Sequence, residues 1–288
     1  MKPGPFTYHD PTSVDDAVAL LAGHEDVKLL AGGQSLMPML NMRFVVPDHV
    51  IDLNGVADMS GIADTGDALA IGAMTRQCDL ASSEIVAARA PILREALSFV
   101  GHFQTRNRGT IGGSLCHLDP AAEQPTVAAA YDAELTIVGP EGTREVAFAE
   151  WPLAYMMANL APDELLTQIR FPYWQEAHGA AFVEFARRHG DFAIIGVAAL
   201  LAVEDGKITR ASVAVGGADV QPLRLADVET MLVGAAPGDA VFAEAGAMAR
   251  KIDAMSDAYV TTQYRQRLAG VLVERALAQA ASRATGGE

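Results

Sequence analysis

Short apolar runs punctuated by glycine, proline and acidic residues fill the first part of the chain, and longer apolar runs fill the rest. Ser13-Val14-Asp15-Asp16 reads as a capping box with Asp in place of Glu or Gln, so residues 17–22 are expected to be helical with Gly23 as the stop. Residues 27–30 form a short apolar strand that feeds Ala31-Gly32-Gly33-Gln34-Ser35-Leu36, and Pro38 suits the start of a helical turn over 36–40. Strands are expected at 50–53 and 68–72. Helical spacing over 78–100 is interrupted at Pro91, which predicts two helices meeting there. A second glycine pair follows in Thr110-Ile111-Gly112-Gly113-Ser114, and helical spacing returns over 125–130. Apolar runs at 135–138 and 144–147 flank Gly139-Pro140-Glu141-Gly142-Thr143 as a hairpin.

Residues 165–171 read as a strand that stops at Pro172. The texture then changes near residue 177. Strands are expected at 180–187, 192–203 and 208–215, with Glu204-Asp205-Gly206-Lys207 as a hairpin turn. Helices follow at 225–232, 240–252 and 256–281. In the last, Leu268, Val271, Leu272 and Ala276 share one face, which suits packing on a sheet. This order predicts an α+β protein with separate domains, 1–176 and 177–288. Neither an internal repeat nor a low-complexity segment is evident.

Composition narrows the function classes. Half of the 288 residues are apolar, enough for a substantial core, and the formal net charge is −15. Such acidity disfavours nucleic acid and anionic membranes as partners. No apolar run reaches the roughly 18 residues of a membrane span, and the first residues lack the apolar stretch of a signal peptide. A soluble cytoplasmic protein is expected. Two cysteines, Cys78 and Cys116, supply neither a disulfide framework nor the four ligands of an iron–sulfur cluster. No metal ligand set is read from the sequence.

The glycine pairs carry the chemistry. Each follows an apolar run and ends in a hydroxyl residue, Ser35 or Ser114. Backbone N–H groups bind a diphosphate without side-chain entropy cost, and glycine admits close approach. Two such segments can hold one diphosphate from both sides. Neither matches Gly-x-Gly-x-x-Gly or the Walker pattern. Asp119-Pro120-Ala121-Ala122-Glu123 places two carboxylates nearby. Asp119 suits capping of a helix near Pro120, and Glu123 suits a ligand hydroxyl. Arg187-Arg188-His189 reads as a solvated turn and Arg106 and Arg108 as surface or phosphate-facing charge. His102 and His117 lack a nucleophile partner. Cys116 reads as a small buried residue, and Met37, Met39, Met42, Trp151 and Trp174 as packing.

Four pieces occur in order: Ala31 to Leu36, Thr110 to Ser114, Asp119 to Glu123, and Gly190-Asp191-Phe192-Ala193. With Thr262-x-Tyr264-Arg265 and the helix after it, they resemble, over nearly the whole chain, the FAD-binding medium subunit of the molybdenum hydroxylases. Carbon monoxide dehydrogenase and xanthine dehydrogenase are known members. The resemblance implies a two-subdomain FAD-binding fold of the vanillyl-alcohol oxidase (PCMH) type, with subdomains of about 1–55 and 56–176, then a C-terminal three-stranded antiparallel sheet with helices. It implies that Ala31, Gly32, Gly33, Gln34, Ser35, Leu36, Thr110, Ile111, Gly112, Gly113 and Ser114 hold the FAD diphosphate. Glu123, where relatives commonly carry Asp, would contact the ribityl or ribose region. Leu165 or Leu166 would pack near a ring, Asp191 and Phe192 would lie beside the isoalloxazine, and Glu184 would stand near a position where relatives often carry Lys. The implied partners are a molybdenum-cofactor large subunit and a small subunit with two 2Fe–2S clusters, in an (αβγ)2 assembly. The rival reading is a self-sufficient FAD-dependent oxidase or dehydrogenase.

Overall fold

The computed structural model describes residues 1–174 and 178–287. The first lobe holds β1 (Thr7–His9), α1 (Val14–Gly23), β2 (Val27–Leu30), α2 (Leu36–Asn41) and β3 (His49–Asp52). Its three strands form a parallel sheet in the order β1-β3-β2. Ser13 closes the expected cap: its Oγ accepts from the Asp16 N–H at 3.1 Å and donates to the Asp16 carboxylate at 2.7 Å.

The second lobe begins with β4 (Ile62–Asp64) and β5 (Ala68–Gly72) and continues through α3 (Gln77–Ser82), α4 (Glu84–Arg89), α5 (Pro91–Phe99), α6 (Phe103–Arg108), α7 (Ile111–His117) and α8 (Glu123–Ala130). Then come β6 (Glu134–Gly139), β7 (Gly142–Ala147), the short ribbon β8 (Pro152–Ala154) and β9 (Met157–Ala158), and β10 (Leu165–Pro172). The sheet is antiparallel, in the order β4-β5-β10-β6-β7. Three helices, not two, occupy 77–99. Ser83 ends one and caps the next, accepting from the Val86 N–H at 3.3 Å, and Pro91 opens the third. Serine mid-run competes with helix propagation by offering the backbone this alternative.

The third part holds β11 (His178–Ala186), β12 (Ala193–Glu204), β13 (Lys207–Gly216), β14 (Leu223–Arg224), α9 (Ala226–Leu232), α10 (Asp239–Ala249) and α11 (Thr262–Ala284). The expected boundary at 176/177 lies outside the described residues. The sheet has four strands, not three: β14 pairs Leu223 with Val215 and Arg224 with Ala214. Two residues leave no alternating pattern to read. The last helix starts at Thr262 rather than 256, because Asp257 accepts from the N–H groups of Tyr259 and Val260 and holds a turn there. The expected hairpin at Asp205-Gly206 is present, with left-handed φ of 50° and 73°, the pair a primed turn requires.

β12 explains how the parts join. Alternate residues of a strand face opposite sides. Ala198, Leu200 and Ala202 enter the core shared with the second lobe, whereas Val197, Ala199 and Leu201 enter a second core under α9, α10 and α11. The strand is apolar up to Val203 because both of its faces are covered. Leu200→Ala should therefore lower stability by about 2–5 kcal/mol in urea denaturation. A loss under about 1 kcal/mol would contradict this placement.

Candidate functional site

β2 runs directly into Ala31-Gly32-Gly33-Gln34-Ser35. Gly33 takes a φ of 73°, a left-handed value that costs glycine nothing. The Gly32 carbonyl accepts from the Gln34 side chain at 3.2 Å, and the Gly33 carbonyl accepts from the Met37 N–H at 3.0 Å. Among the described residues, no acceptor engages the backbone N–H groups of Gly32, Gly33, Gln34 or Ser35. Four successive unengaged amides, half-buried to exposed, form a ready donor set for an anion.

The second glycine pair has a different build. It is the first turn of α7, not a loop. Thr110 caps it, accepting from the Gly113 N–H at 3.1 Å. The N–H groups of Ile111, Gly112 and Ser114 are bonded to the carbonyls of Thr75, Ala73 and Thr110 at 3.2, 2.9 and 3.2 Å. This segment therefore offers a ligand the half-buried Ser114 hydroxyl, while Gly112 is buried against Ala73, where a Cβ would not fit. A Cβ on Gly113 would meet the Thr110 Oγ1 at 2.8 Å and the Ala31 Cβ at 3.6 Å.

The two segments touch through bare backbone. A Cβ on Gly32 would fall on the Arg108 carbonyl and the Gly109 Cα, closer than the 3.0 Å that real Cβ atoms keep. Two side chains that the sequence reading passed over clamp this approach. Asn54 donates to the Ala31 carbonyl at 3.1 Å. Arg76 donates to both the Asn54 Oδ1 and the Arg108 carbonyl. Each lies just past the end of a predicted strand, which was the available signal. The Arg106 guanidinium is tied to the Val100 carbonyl at 2.8 Å, while Arg108 stays exposed.

Beyond α7, Leu118 takes a left-handed φ of 48° and turns the chain. Asp119 accepts from the Ala121 N–H at 2.9 Å, so it caps a turn, and the helix begins only at Glu123. Glu123 is 9% exposed. Burial pushes its carboxyl up to about 7. Glu184, on β11 opposite Gly196, is pushed up to about 8 by burial and then by the neighbouring Glu123. Burial and the neighbouring Glu123 thus both favour the protonated form of Glu184. Among the described residues, Glu184 Oε2 and both amide atoms of Gln124 are buried without a hydrogen-bond partner. Buried polar atoms are normally satisfied, so this corner suits a ligand rich in hydroxyls. Burial raises the Cys116 thiol to about 12, in keeping with an inert packing residue. Trp151 is fully buried, and its Nε1 holds the Leu115 carbonyl of α7 at 2.8 Å.

The third part closes one side. Gly190 has a φ of 83°, and a Cβ there would meet the Gly101 carbonyl at 2.8 Å. The 187–192 loop therefore seats on the turn before α6. Asp191 and Phe192 are exposed, Phe192 at 74%. Arg187 lies over the Tyr259 ring at 5.5 Å rather than free in solvent. Arg265, flagged with Thr262 and Tyr264 in the sequence, is 5% exposed; it binds the Ile194 carbonyl at 2.8 Å, the Gly217 carbonyl and Asp257. The Gly217 N–H in turn donates to the Pro120 carbonyl at 2.7 Å. Leu165 and Leu166 are each 2% exposed and sit in the core of the second sheet, so they offer the cleft no free surface.

The residues present fit a dinucleotide cofactor: unengaged amides for a diphosphate, the Ser114 hydroxyl on the neighbouring helix, and buried polar atoms of Gln124 and Glu184 without a partner. Comparison with known proteins agrees. The family described as FAD binding domain in molybdopterin dehydrogenase matches residues 4–174, and that described as CO dehydrogenase flavoprotein C-terminal domain matches residues 180–280. The chain is 39% identical over 287 residues to the 6-hydroxypseudooxynicotine dehydrogenase complex subunit alpha of Paenarthrobacter nicotinovorans, covering 99% of this chain and 97% of that one. It is 38% identical over 286 residues to the carbon monoxide dehydrogenase medium chain of Afipia carboxidovorans, covering 99% of each. A solved carbon monoxide dehydrogenase from Hydrogenophaga pseudoflava, lacking the Mo-pyranopterin moiety of its cofactor, superposes with a TM-score of 0.95 at 38% identity, covering 98% of this chain and 99% of that one. The chain belongs to the FAD-binding medium subunits of the molybdenum hydroxylases, the flavoprotein components of molybdenum-containing dehydrogenases.

Proposed function

We propose that this chain is the electron-transfer subunit of a heterotrimeric molybdenum hydroxylase. It takes electrons from a two-cluster iron–sulfur small subunit and passes them to an external acceptor, while a molybdenum-cofactor large subunit handles the substrate. The assembly is (αβγ)2 and cytoplasmic. The observation that carries this reading is the row of four unengaged amides, Gly32 to Ser35, in the segment that abuts Gly109 and, through Ala31, Gly113.

FAD supplies the redox chemistry when bound, and the protein supplies position and field. The Gly32–Ser35 amides take the diphosphate, with Ala31 and Leu36 flanking it. Thr110 to Ser114 form the opposite wall, and Ser114 adds a hydroxyl. Glu123 meets the ribityl or ribose hydroxyls. Asp191 and Phe192 border the ring, and Leu166 backs the cleft from the core. The two lobes correspond to the subdomains of the vanillyl-alcohol oxidase (PCMH) type. Phe103, Phe192 and Tyr259, exposed at 65%, 74% and 83%, provide apolar surface for neighbouring subunits. A self-sufficient oxidase needs a proton-handling group in an open pocket beside Phe192. Glu123 and Glu184, whose carboxyls are shifted upward, are set back in the interior instead.

Two outcomes are expected. In Gly33→Val, a branched side chain is forced into a left-handed position at a cost of order 1–3 kcal/mol, and it crowds the anion site. FAD content of the purified protein should fall at least about tenfold, since 1.4 kcal/mol is a factor of ten, with the far-UV circular dichroism unchanged. Full flavin occupancy would contradict the assignment.

The second concerns pH. The carboxyls of Glu123 and Glu184 rise from an ordinary 4.5 to about 7 and about 8. The native flavin-free chain then binds more protons than the unfolded chain across that interval. Their stabilising contribution is complete below about 4.5 and is lost as pH rises through about 7 to 8. Thermal melts of the flavin-free chain should show Tm falling over this range. The decline should be shallower in Glu123→Gln/Glu184→Gln. Equal slopes in the two proteins would show that these carboxyls are not proton-loaded.

A further inference from the structure

Seven histidines are spread along the chain, and three of them converge on one face of the first sheet. His9 ends β1, His24 is the C-cap residue of α1, and His49 opens β3. Parallel pairing sets Thr7 opposite His49 and His9 opposite Ile51. Residues two apart on a strand share a face, so His9 and His49 project from the same face one diagonal step apart. On the other side of β3, Val27 of β2 lies opposite His49, which carries the α1–β2 connection and His24 to the same place.

The resulting geometry is tight. His9 Nε2 lies 3.0 Å from His49 Nδ1. The rings of His24 and His49 stack with centroids 4.1 Å apart and planes at 18°, and those of His9 and His24 are 5.0 Å apart. One ring nitrogen from each residue lies within 4.8 Å of the other two. All three side chains are half-buried. His9 and His24 also line an open cleft with Asp10 and Asp16.

We propose that His9, His24 and His49 form a binding site for a divalent transition cation of the zinc class. Imidazole nitrogens bind zinc at about 2.0–2.1 Å, which sets tetrahedral ligand atoms roughly 3.3 Å apart. The closest nitrogen pair already stands at 3.0 Å, and the others are within 4.8 Å, so the backbone holds the rings within reach and ligation needs side-chain rotation alone. The lone pairs of stacked rings run parallel, so the ion draws His24 out of its stack until its nitrogen points at the metal. Three neutral imidazoles without thiolate suit Zn²⁺, Co²⁺, Ni²⁺ or Cu²⁺ over Mg²⁺ or Ca²⁺. Asp10 and Asp16 add negative charge along the approach, and the fourth position is left to water. Bound there, the ion ties β1, α1 and β3 together. It clasps the lobe that presents the Gly32–Ser35 amides and takes no part in the redox chemistry.

The test uses untagged, chelator-treated holoprotein. Calorimetric titration with Zn²⁺ and visible d–d absorption with Co²⁺ are read in the wild type, His24→Ala and His49→Gln. The expected wild-type result is one ion per chain with a Kd near or below about 1 μM, a tetrahedral Co²⁺ spectrum, and a Tm about 5 °C higher in saturating Zn²⁺. Binding should weaken at least about 100-fold in His24→Ala, which removes a half-exposed ring at a helix end and leaves the fold and flavin content intact. Absence of stoichiometric uptake by the wild type would overturn the proposal. So would uptake of unchanged affinity in both variants.

Discussion

Everything at the cleft depends on one close approach of backbone to backbone. Gly32 lies against the Arg108 carbonyl and the Gly109 Cα, a distance no residue with a Cβ can keep. This contact brings the segment that carries the free amides against the turn leading into α7, with Ala31 beside Gly113. Arg76 and Asn54 hold it, because each bonds a group on either side: Asn54 reaches Ala31, and Arg76 reaches Asn54 and Arg108. The division of labour between the glycine pairs follows. One leaves its amides free, and the other has its amides engaged by Ala73, Thr75 and Thr110.

The second constraint is the shared sheet of the third part. β12 gives one face to the core of the second lobe and the other to the helices α9 to α11, so the C-terminal part is built into the fold rather than tethered to it. Arg265 then links the ends of β12 and β13, and Gly217 passes that order to Pro120, close to Glu123. A buried guanidinium bonded to two carbonyls and a carboxylate satisfies most of its donors, which is the condition under which burying a charge is tolerable. The 187–192 loop inherits its position from this frame.

Much of this was legible in the sequence, and the gaps have physical causes. β5 and the Asp205-Gly206 hairpin could be read because local pattern and turn chemistry agree there. The two glycine segments were legible as a pair, but not the difference between them. Whether an amide is free depends on Ala73 and Thr75, which lie more than thirty positions away in sequence from α7. Asn54 and Arg76 carried only their place after a predicted strand as a signal, because their partners Ala31 and Arg108 lie more than twenty positions away. β14 and the ribbon β8–β9 are too short to carry a period, and Ser83 split a helical run that apolar spacing alone left continuous. The histidine cluster is a product of parallel strand register, which sequence spacing does not encode.

The most direct measurement is hydrogen–deuterium exchange of the flavin-free chain before and after refilling with FAD. The amides of Gly32 to Ser35 have no acceptor among the described residues, so they should exchange fast without flavin and slow markedly with it. Those of Gly112 and Ser114, already bonded to the Ala73 and Thr110 carbonyls, should change far less. Protection confined to other segments, with 32–35 still exchanging fast in the FAD-loaded chain, would contradict the assignment of the diphosphate to these amides.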